Sequence, residues 1–368
     1  QMESATVFHD FEKFFDTIDT PQLLAEAIYT DFPAVDLAYS MQQHLAPRTI
    51  QVAGHTSEIF SIYRSILAGC KFSVAKTRMF LLRSFKSIYA NHPHARPKVH
   101  VDDTAMQTIA QTWGEIPDKL IPSIIEFKKS VDKRKLKLSS KGVVVSSNIK
   151  LTKHIIKELK THGIKYTGAR STRDLGISHT AAKARPRDIQ RTRFSKVVPR
   201  INKIKTIAKI SRLAKKLYTG SAYSANTWGH EGTGLTKLQQ YQLENRALSS
   251  TGINPNGRCR FLSLAVAFGP FGTPLARIIR DTITTYVKVA TNYLKINDKI
   301  ELQKAWKTKY EKLKSKNNTA RDILGLMSNV ILLLFKYGWD PHSFNIWADP
   351  NKKQFCVLEH ENIPQSSI

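Results

Sequence analysis

Apolar residues recur along this chain with two different periods, and the balance between them changes near residue 180. Before that point, short apolar runs at 6–9, 48–52, 97–101, 143–147 and 173–178 read as strands. Between the runs, apolar residues three and four apart predict helices at 21–31, 34–45, 72–90, 116–130 and 151–163. Residues 48–62 form two alternating segments around Gly54, the pattern of a hairpin. Thr20 before Pro21 predicts a helix start with Thr20 as N-cap and Pro21 at the first helical position. Such alternation of strands and helices indicates an α+β domain. Beyond Thr180 the strand signals fade, and helices are expected at 197–217, 235–250, 273–294, 298–315 and 319–337.

Charge narrows the class of partner. Fifty-seven Lys and Arg residues against 29 Asp and Glu give a formal net charge of +28, which favours polyanions and predicts steeply salt-dependent binding. The excess is concentrated in 183–216, where Asp188 is the one acid and Lys183, Arg185, Arg187, Arg191, Arg193, Lys203 and Lys209 are candidate nucleic-acid contacts. In the same stretch Val197, Ile201, Ile204, Ile207, Ile210, Leu213 and Leu217 recur every three or four residues, predicting one helix with a buried face and a basic face. Residues 181–196 hold few apolar positions, so a disordered basic tail is the alternative there.

Cys70, Cys259 and Cys356 are too few for a disulfide framework and too far apart for a zinc knuckle, which points to a reduced, intracellular setting, nuclear or cytoplasmic. No signal peptide and no apolar span of membrane length is evident, so no membrane partner is expected.

The candidate chemistry lies at the edges of two strand-like runs. Asp10 follows Thr6-Val7-Phe8-His9, and Asp102-Asp103 follow Lys98-Val99-His100-Val101. Taken alone, an Asp-Asp pair is a common turn element. Carboxylates on neighbouring strands also suit two divalent ions in nucleotidyl transfer, where the metals activate an attacking 3′-hydroxyl and stabilise the leaving pyrophosphate.

With its surroundings, this chain resembles the reverse transcriptases, nearest to the non-long-terminal-repeat retrotransposon type. The segment from Asp10 to Asp16 resembles motif A, Gly69-Cys70 with Ser73 resembles motif B, and His100-Val101-Asp102-Asp103 resembles motif C. Leu136 to Lys141 resembles motif D, and Arg173-Asp174-Leu175-Gly176 resembles the primer-grip turn, in the family's order. Departures are Leu67-Ala68 where relatives have Arg-Gln, Lys71 where Pro is frequent, and His100 for the usual aromatic.

The resemblance implies an antiparallel palm sheet with packed helices over 1–180, a basic helical thumb over 181–260 and a helical C-terminal region of unknown role over 261–368. It implies Mg²⁺ or Mn²⁺ held by Asp10 and Asp102 with Asp103 beside them and the Phe11 carbonyl as a backbone ligand. Phe15 becomes a steric gate against a 2′-hydroxyl, with a core aromatic as its alternative reading. Gly69 and Ser73 become nucleotide contacts, and Lys141 becomes the lysine at the leaving pyrophosphate or a member of the solvated basic run 133–137. The partners implied are an RNA template, a DNA primer and deoxynucleoside triphosphates. The expected activity is that of an RNA-directed DNA polymerase, in a fragment without its fingers. The alternative is a catalytically inactive palm-fold remnant or scaffold that binds nucleic acid, and Phe15 disfavours an RNA-dependent RNA polymerase.

Overall fold

A computed structural model of the chain describes residues 2–181, 186–254, 256–295, 297–314 and 318–358. The chain folds into two compact units, Gln1–Leu175 with His179–Lys183, and Gly176–Ser178 with Ala184–Ile368.

The first unit is built on strands β1 (Glu3–His9), β2 (Arg96–His100), β3 (Asp103–Ala110), β4 (Val143–Ser146) and β5 (Thr167–Ala169). Their spatial order is β2-β3-β1-β4-β5. The sheet is mixed, not antiparallel as expected, because β4 and β5 pair in parallel. Helix Ile149–Thr161 connects them, and a parallel pair requires such a crossover. Period-two alternation places Ala5, Val7 and His9 opposite Thr108, Met106 and Thr104 on one face. There, helices Ser73–Asn91, Glu115–Lys133 and Ile149–Thr161 close the core through Phe80, Phe85, Leu120, Phe127 and Ile155.

Strand β3, beside β1 at the centre of the sheet, lies outside the runs expected from the apolar pattern. Its buried positions are Thr104, Ala105, Met106, Thr108 and Ala110, of which Thr104 and Thr108 are polar and two others are only alanine. The hairpin around Gly54 forms as a minimal pair, Gln51–Val52 with His55–Thr56, and Ala53 and Gly54 both take positive φ. Helix Thr20–Tyr29 is capped by Asp19, whose Oδ1 accepts from the Gln22 amide at 3.3 Å. Thr20 is therefore the first helical residue, and its hydroxyl donates to the Tyr63 carbonyl.

Two buried charges stand out in this unit. Arg134, in the run read from sequence as solvated, is buried and donates to Glu26 at 3.1 Å and to the Phe80 carbonyl at 3.1 Å. Arg83 completes the cluster at 3.4 Å from Glu26. Lys76 is fully buried, its Nζ 3.3 Å from the Met41 sulfur, and burial pulls its ammonium down to about 8.

The second unit is helical. The single helix expected at 197–217 is broken into Val198–Ala208 and Ala214–Leu217, followed by a π-helical turn at Tyr218–Ala222. At the break the Ser211 hydroxyl accepts from the Leu213 amide, a local bond that competes with the helix. As a result Ile210, Leu213 and Leu217, assigned to the buried face by their spacing, are exposed. The sparse stretch before it forms helix Asp188–Lys196. Lys237–Ser249, opened by a Thr236/Gln239 capping box, packs against Arg260–Phe268 and Pro274–Leu294, so the helices either side of residue 260 share one unit.

Gly325, at φ 145°, separates a short 3₁₀ turn at Ala320–Asp322 from helix Leu326–Lys336, where one helix over 319–337 was expected. The tail folds back as a hairpin, Ile346–Ala348 with Gln354–Cys356. Trp347 stacks on Trp306, and the Trp306 indole donates to the Pro341 carbonyl at 2.7 Å. Of the tail acids, Asp340 accepts from Tyr310 and Asp349 from two backbone amides, which are structural roles. His360 lies outside the described residues. Among the described residues no helix is long and apolar enough to cross a membrane.

The two buried charges predict opposite stability changes. Glu26→Gln leaves Arg134 without its counter-charge and should cost roughly 3–5 kcal/mol in denaturant unfolding. Lys76→Met removes an unpaired buried cation at nearly constant volume and should stabilise by about 1–3 kcal/mol at pH 7. Because the folded ammonium titrates below its ordinary 10.5, the wild-type deficit should shrink as pH rises from about 8 to 10.5. The Lys76→Met variant should lack that pH dependence.

Candidate acidic cavity

Register brings the acids together. β1 and β3 pair with His9 opposite Thr104, so the next position on each strand places Asp10 beside Asp103. β2 and β3 form a hairpin whose two turn residues are Val101 and Asp102, between paired His100 and Asp103. Val101 turns the chain with φ 61°, a conformation that a β-branched residue adopts at a cost of order 1–3 kcal/mol. Strain at this point fixes where the two aspartates project.

A third segment is fastened to the end of β1. The Ser139 amide donates to the Asp10 carbonyl at 2.7 Å, and the Glu12 amide donates to the Lys137 carbonyl at 2.9 Å. Neither bond uses the Phe11 carbonyl, the backbone ligand implied by the resemblance, while the Phe11 ring is buried. Two residues beyond Ser139, Lys141 reaches the same place, its amide bonded to the Ser139 hydroxyl. Gly142 follows, and a Cβ there would overlap the Tyr166 ring at 2.2 Å.

These elements line a cavity of about 450 Å³ that includes Asp10, Asp103, Lys98, His100, Lys141 and, from the strand Thr172–Asp174, Arg173 and Asp174. Asp103 is the electrostatic focus. Partial desolvation first, then the charges of Asp102, Asp174 and Asp10, push its carboxyl above the usual range, and His100 opposes them. Mutual repulsion of this kind is relieved by a cation or a proton.

The arrangement sorts the residues singled out from sequence. Asp10, Asp103 and Lys141 meet in the cavity; Asp102 sits exposed at the hairpin tip and does not line it. Phe15 is half-buried, edge-on to Phe14 at 5.7 Å, and packs against the core. Gly69, with φ 87°, lies in a turn before helix Ser73–Asn91, and the Ser73 hydroxyl donates to the Leu67 carbonyl at 2.5 Å. Neither Phe15, Gly69 nor Ser73 lines the cavity. Asp174, Lys98 and Arg173 do, though sequence did not assign them to the site. A basic residue at every second position of β2, Arg96, Lys98 and His100, was the readable signal for Lys98.

In the second unit Lys203 and Lys209 are exposed, as a phosphate-binding surface requires. Arg187 and Arg193 instead donate to backbone carbonyls, Arg187 to Thr233 and Ala320 and Arg193 to Trp228 and Gly176. Arg191 is exposed and lines a separate cavity. Lys183 and Arg185 lie outside the described residues.

Directly behind Asp10, His9 is buried with its Nδ1 at 2.8 Å from the Tyr166 hydroxyl and its Nε2 without a partner. Burial depresses the imidazole to about 3. Burial, then the charge of Asp10, pushes the Tyr166 phenol up, so both members of the pair are neutral across the physiological range. His44, whose Nδ1 accepts from the Leu67 amide at 2.7 Å, is lowered to about 4 by burial and then by Lys76 and Arg48.

Among the described residues no three acid, histidine or cysteine side chains form a ready-made metal cage. No protein-family model matches the chain, and no curated protein is significantly similar to it in sequence.

The two histidines make acid stability a readout of this core. Each is depressed in the folded state, so the unfolded chain gains a proton first and stability falls as pH drops below about 6.5. For His9 the loss continues to about pH 3 and for His44 to about pH 4. Each contributes at most about 1.4 kcal/mol per pH unit. Urea unfolding of His9→Gln and His44→Gln between pH 6.5 and 4.5 should each show a slope flatter by up to that amount.

Proposed function

We propose that the first unit is a template-directed nucleotidyltransferase palm, an RNA-directed DNA polymerase of retroelement origin. The observation that carries this reading is the juxtaposition of Asp10 and Asp103 across the β1–β3 pair, with Lys141 at the same cavity. Strands that end at one edge of a sheet present their carboxylates at a fixed spacing, as in-line phosphoryl transfer demands.

The donor set suits a hard divalent cation. Mg²⁺ is held in such sites by one or two carboxylates, the rest of its shell being substrate phosphate and water, so Asp10 and Asp103 suffice without a closed cage. The raised carboxyl of Asp103 marks the negative potential that a cation would neutralise. When bound, Mg²⁺ or Mn²⁺ supplies Lewis-acid stabilisation of the phosphoryl oxygens and of the attacking 3′-hydroxyl.

The chain's own residues account for the remainder. Lys98, Arg173 and Lys141 set three cations around the acids, fitted to a triphosphate, and Lys141 holds a proton at Nζ for the departing pyrophosphate. His100, exposed beside the acids, offers a ring to the primer end. Phe15 follows Asp10 by five residues, the spacing of a gate that favours deoxynucleotides. The exposed cations of the second unit, Lys203 and Lys209 among them, supply phosphate contacts for an RNA template and a DNA primer.

One observation favours the inactive scaffold: Gly69 and Ser73 stand apart from the cavity, and the Ser73 hydroxyl is already committed to the Leu67 carbonyl. Primer extension on an RNA template with deoxynucleotides and Mg²⁺ separates the readings. The polymerase reading expects activity that falls roughly 10²–10³-fold in Asp10→Asn and Asp103→Asn and less in Asp102→Asn, because a lost charge contact at the reacting centre has that cost. Salt-dependent duplex binding with no extension and no Mn²⁺ binding would establish the scaffold. Full activity of Asp103→Asn would remove Asp103 from the site.

A further inference from the structure

A second cavity is larger than the acidic one. It lies within the second unit, holds about 1010 Å³ and is walled by Leu235, Ile278, Ile323, Leu332, Leu333 and Phe335. Around this apolar floor stand Arg187, Arg191, Lys237, Arg321 and Lys336, and no Asp or Glu lines it. None of the five cations makes an ion pair among the described residues. Burial first, then Arg191 and Arg321, lowers the Arg187 guanidinium, and burial followed by Lys237 lowers the Lys336 ammonium. Positive charge has been gathered in a concave, partly dry place at an electrostatic cost, which an anion would offset.

Two further groups describe that anion. His230 is 3% exposed, and its Nδ1 faces the Thr227 carbonyl at 2.8 Å. A carbonyl only accepts, so Nδ1 carries a hydrogen, which Glu231 Oε2 also faces at 3.6 Å; in the neutral ring Nε2 is a bare acceptor, and it is buried in the cavity wall with no partner. Asn318 donates through Nδ2 to the Leu313 carbonyl, and its Oδ1 is likewise buried and unpartnered in the wall. An occupant that satisfied both would carry hydroxyl or amine hydrogens as well as negative charge. Hydrophobic walls of this size are suited to an organic body, and an inorganic ion would leave them uncovered.

We propose that this cavity is a binding site for a small organic phosphate: a dianionic group on an apolar body that also bears a hydroxyl or amine hydrogen. The guanidinium groups of Arg191 and Arg321 receive the phosphate, with Arg187, whose Nη2 is given to the Thr233 and Ala320 carbonyls, adding its charge beside them; Leu332, Leu333 and Phe335 cover the body, and His230 Nε2 and Asn318 Oδ1 accept from its hydrogens. Surface lysines such as Lys304 and Lys307, exposed on helix Lys299–Lys314, do not line the cavity. The inference is independent of the polymerase reading, since it uses none of the residues of the acidic cavity.

Calorimetric titration of the full chain in EDTA tests it, with 2-naphthyl phosphate as the probe and 2-naphthol and inorganic phosphate as its separated halves. EDTA removes any contribution from metal-dependent binding at the acids. The proposal expects one equivalent of 2-naphthyl phosphate to bind at least ten-fold more tightly than either half. It expects the Arg191→Ala/Arg321→Ala double variant to lose at least ten-fold and the charge-matched Lys304→Ala/Lys307→Ala variant to retain the affinity. 6-Hydroxy-2-naphthyl phosphate, which adds a hydroxyl hydrogen to the same body, should bind more tightly than 2-naphthyl phosphate, and His230→Phe should remove that gain while circular dichroism stays unchanged. Equal weakening by the two double variants would reduce the effect to net charge, and phosphate alone binding as tightly as the probe would remove the apolar requirement; either overturns the proposal. Displacement of the probe by a short RNA at one equivalent would also overturn it, by assigning the cavity to a polynucleotide.

Discussion

The pairing register of β1 with β3 is the constraint on which the rest of the first unit depends. A strand's side chains alternate between faces, so a slip of one residue would turn His9 out of the core and carry Asp10 away from Asp103. What holds the register is buried and mostly uncharged: Val7 against Met106, Ala5 against Thr108, and helices packed over them. The acids stand where the strands run out of core, at the edge where carboxylates can remain ionised beside solvent. The same edge receives Lys141, because the segment 137–139 is hydrogen-bonded to the end of β1. Acid, base and strained turn are thus consequences of a single packing decision.

Charge is managed differently in the two units. In the first, buried Glu26 and Arg134 pair with Arg83 beside them and His9 is neutralised by depressed titration, while buried Lys76 has only the Met41 sulfur beside its ammonium. In the second, Arg260 pairs with Glu244 and Arg280 with Asp281, but the cations that line the large cavity make no ion pair among the described residues. Unpaired charge of one sign destabilises a fold unless binding compensates for it, a cost concentrated at the cavity of the second unit.

Much of this was legible in the sequence, and the failures have physical reasons. Helix Pro274–Leu294 matches its apolar spacing within a residue because most of its buried stripe, Ile278, Tyr286 and Ala290 among it, is apolar, whereas Ala34–Leu45 matches although it buries Ser40 and His44 beside Met41. β3 escaped because a strand at the centre of a sheet can be buried through Thr104 and Thr108, whose burial depends on neighbours and not on their own hydropathy. The helix expected at 197–217 failed for the converse reason: Ile210 and Leu213 keep the helical period yet face solvent, since the helix ends at Ala208 and the Ser211 hydroxyl takes the Leu213 amide in the turn that follows. Asp10 and Asp103 were found from residue type and order, whereas Asp174 required the fold to bring the strand Thr172–Asp174 to the cavity. The cavity of the second unit was not readable at all. Its cations come from segments more than a hundred residues apart, and its orphan acceptors are defined by missing partners.

Gly142 shows how far the acidic edge depends on atoms that are not there. The Tyr166 ring occupies the space of its missing side chain, Tyr166 bonds His9, and His9 immediately precedes Asp10. Lys141 is its neighbour on the other side. A methyl group at this position would press on the ring and, through it, on both the basic and the acidic members of the cavity. In a comprehensive substitution map, the sharpest intolerance in this part of the chain would therefore fall on a residue with no functional group of its own, and chemistry alone would not reveal why.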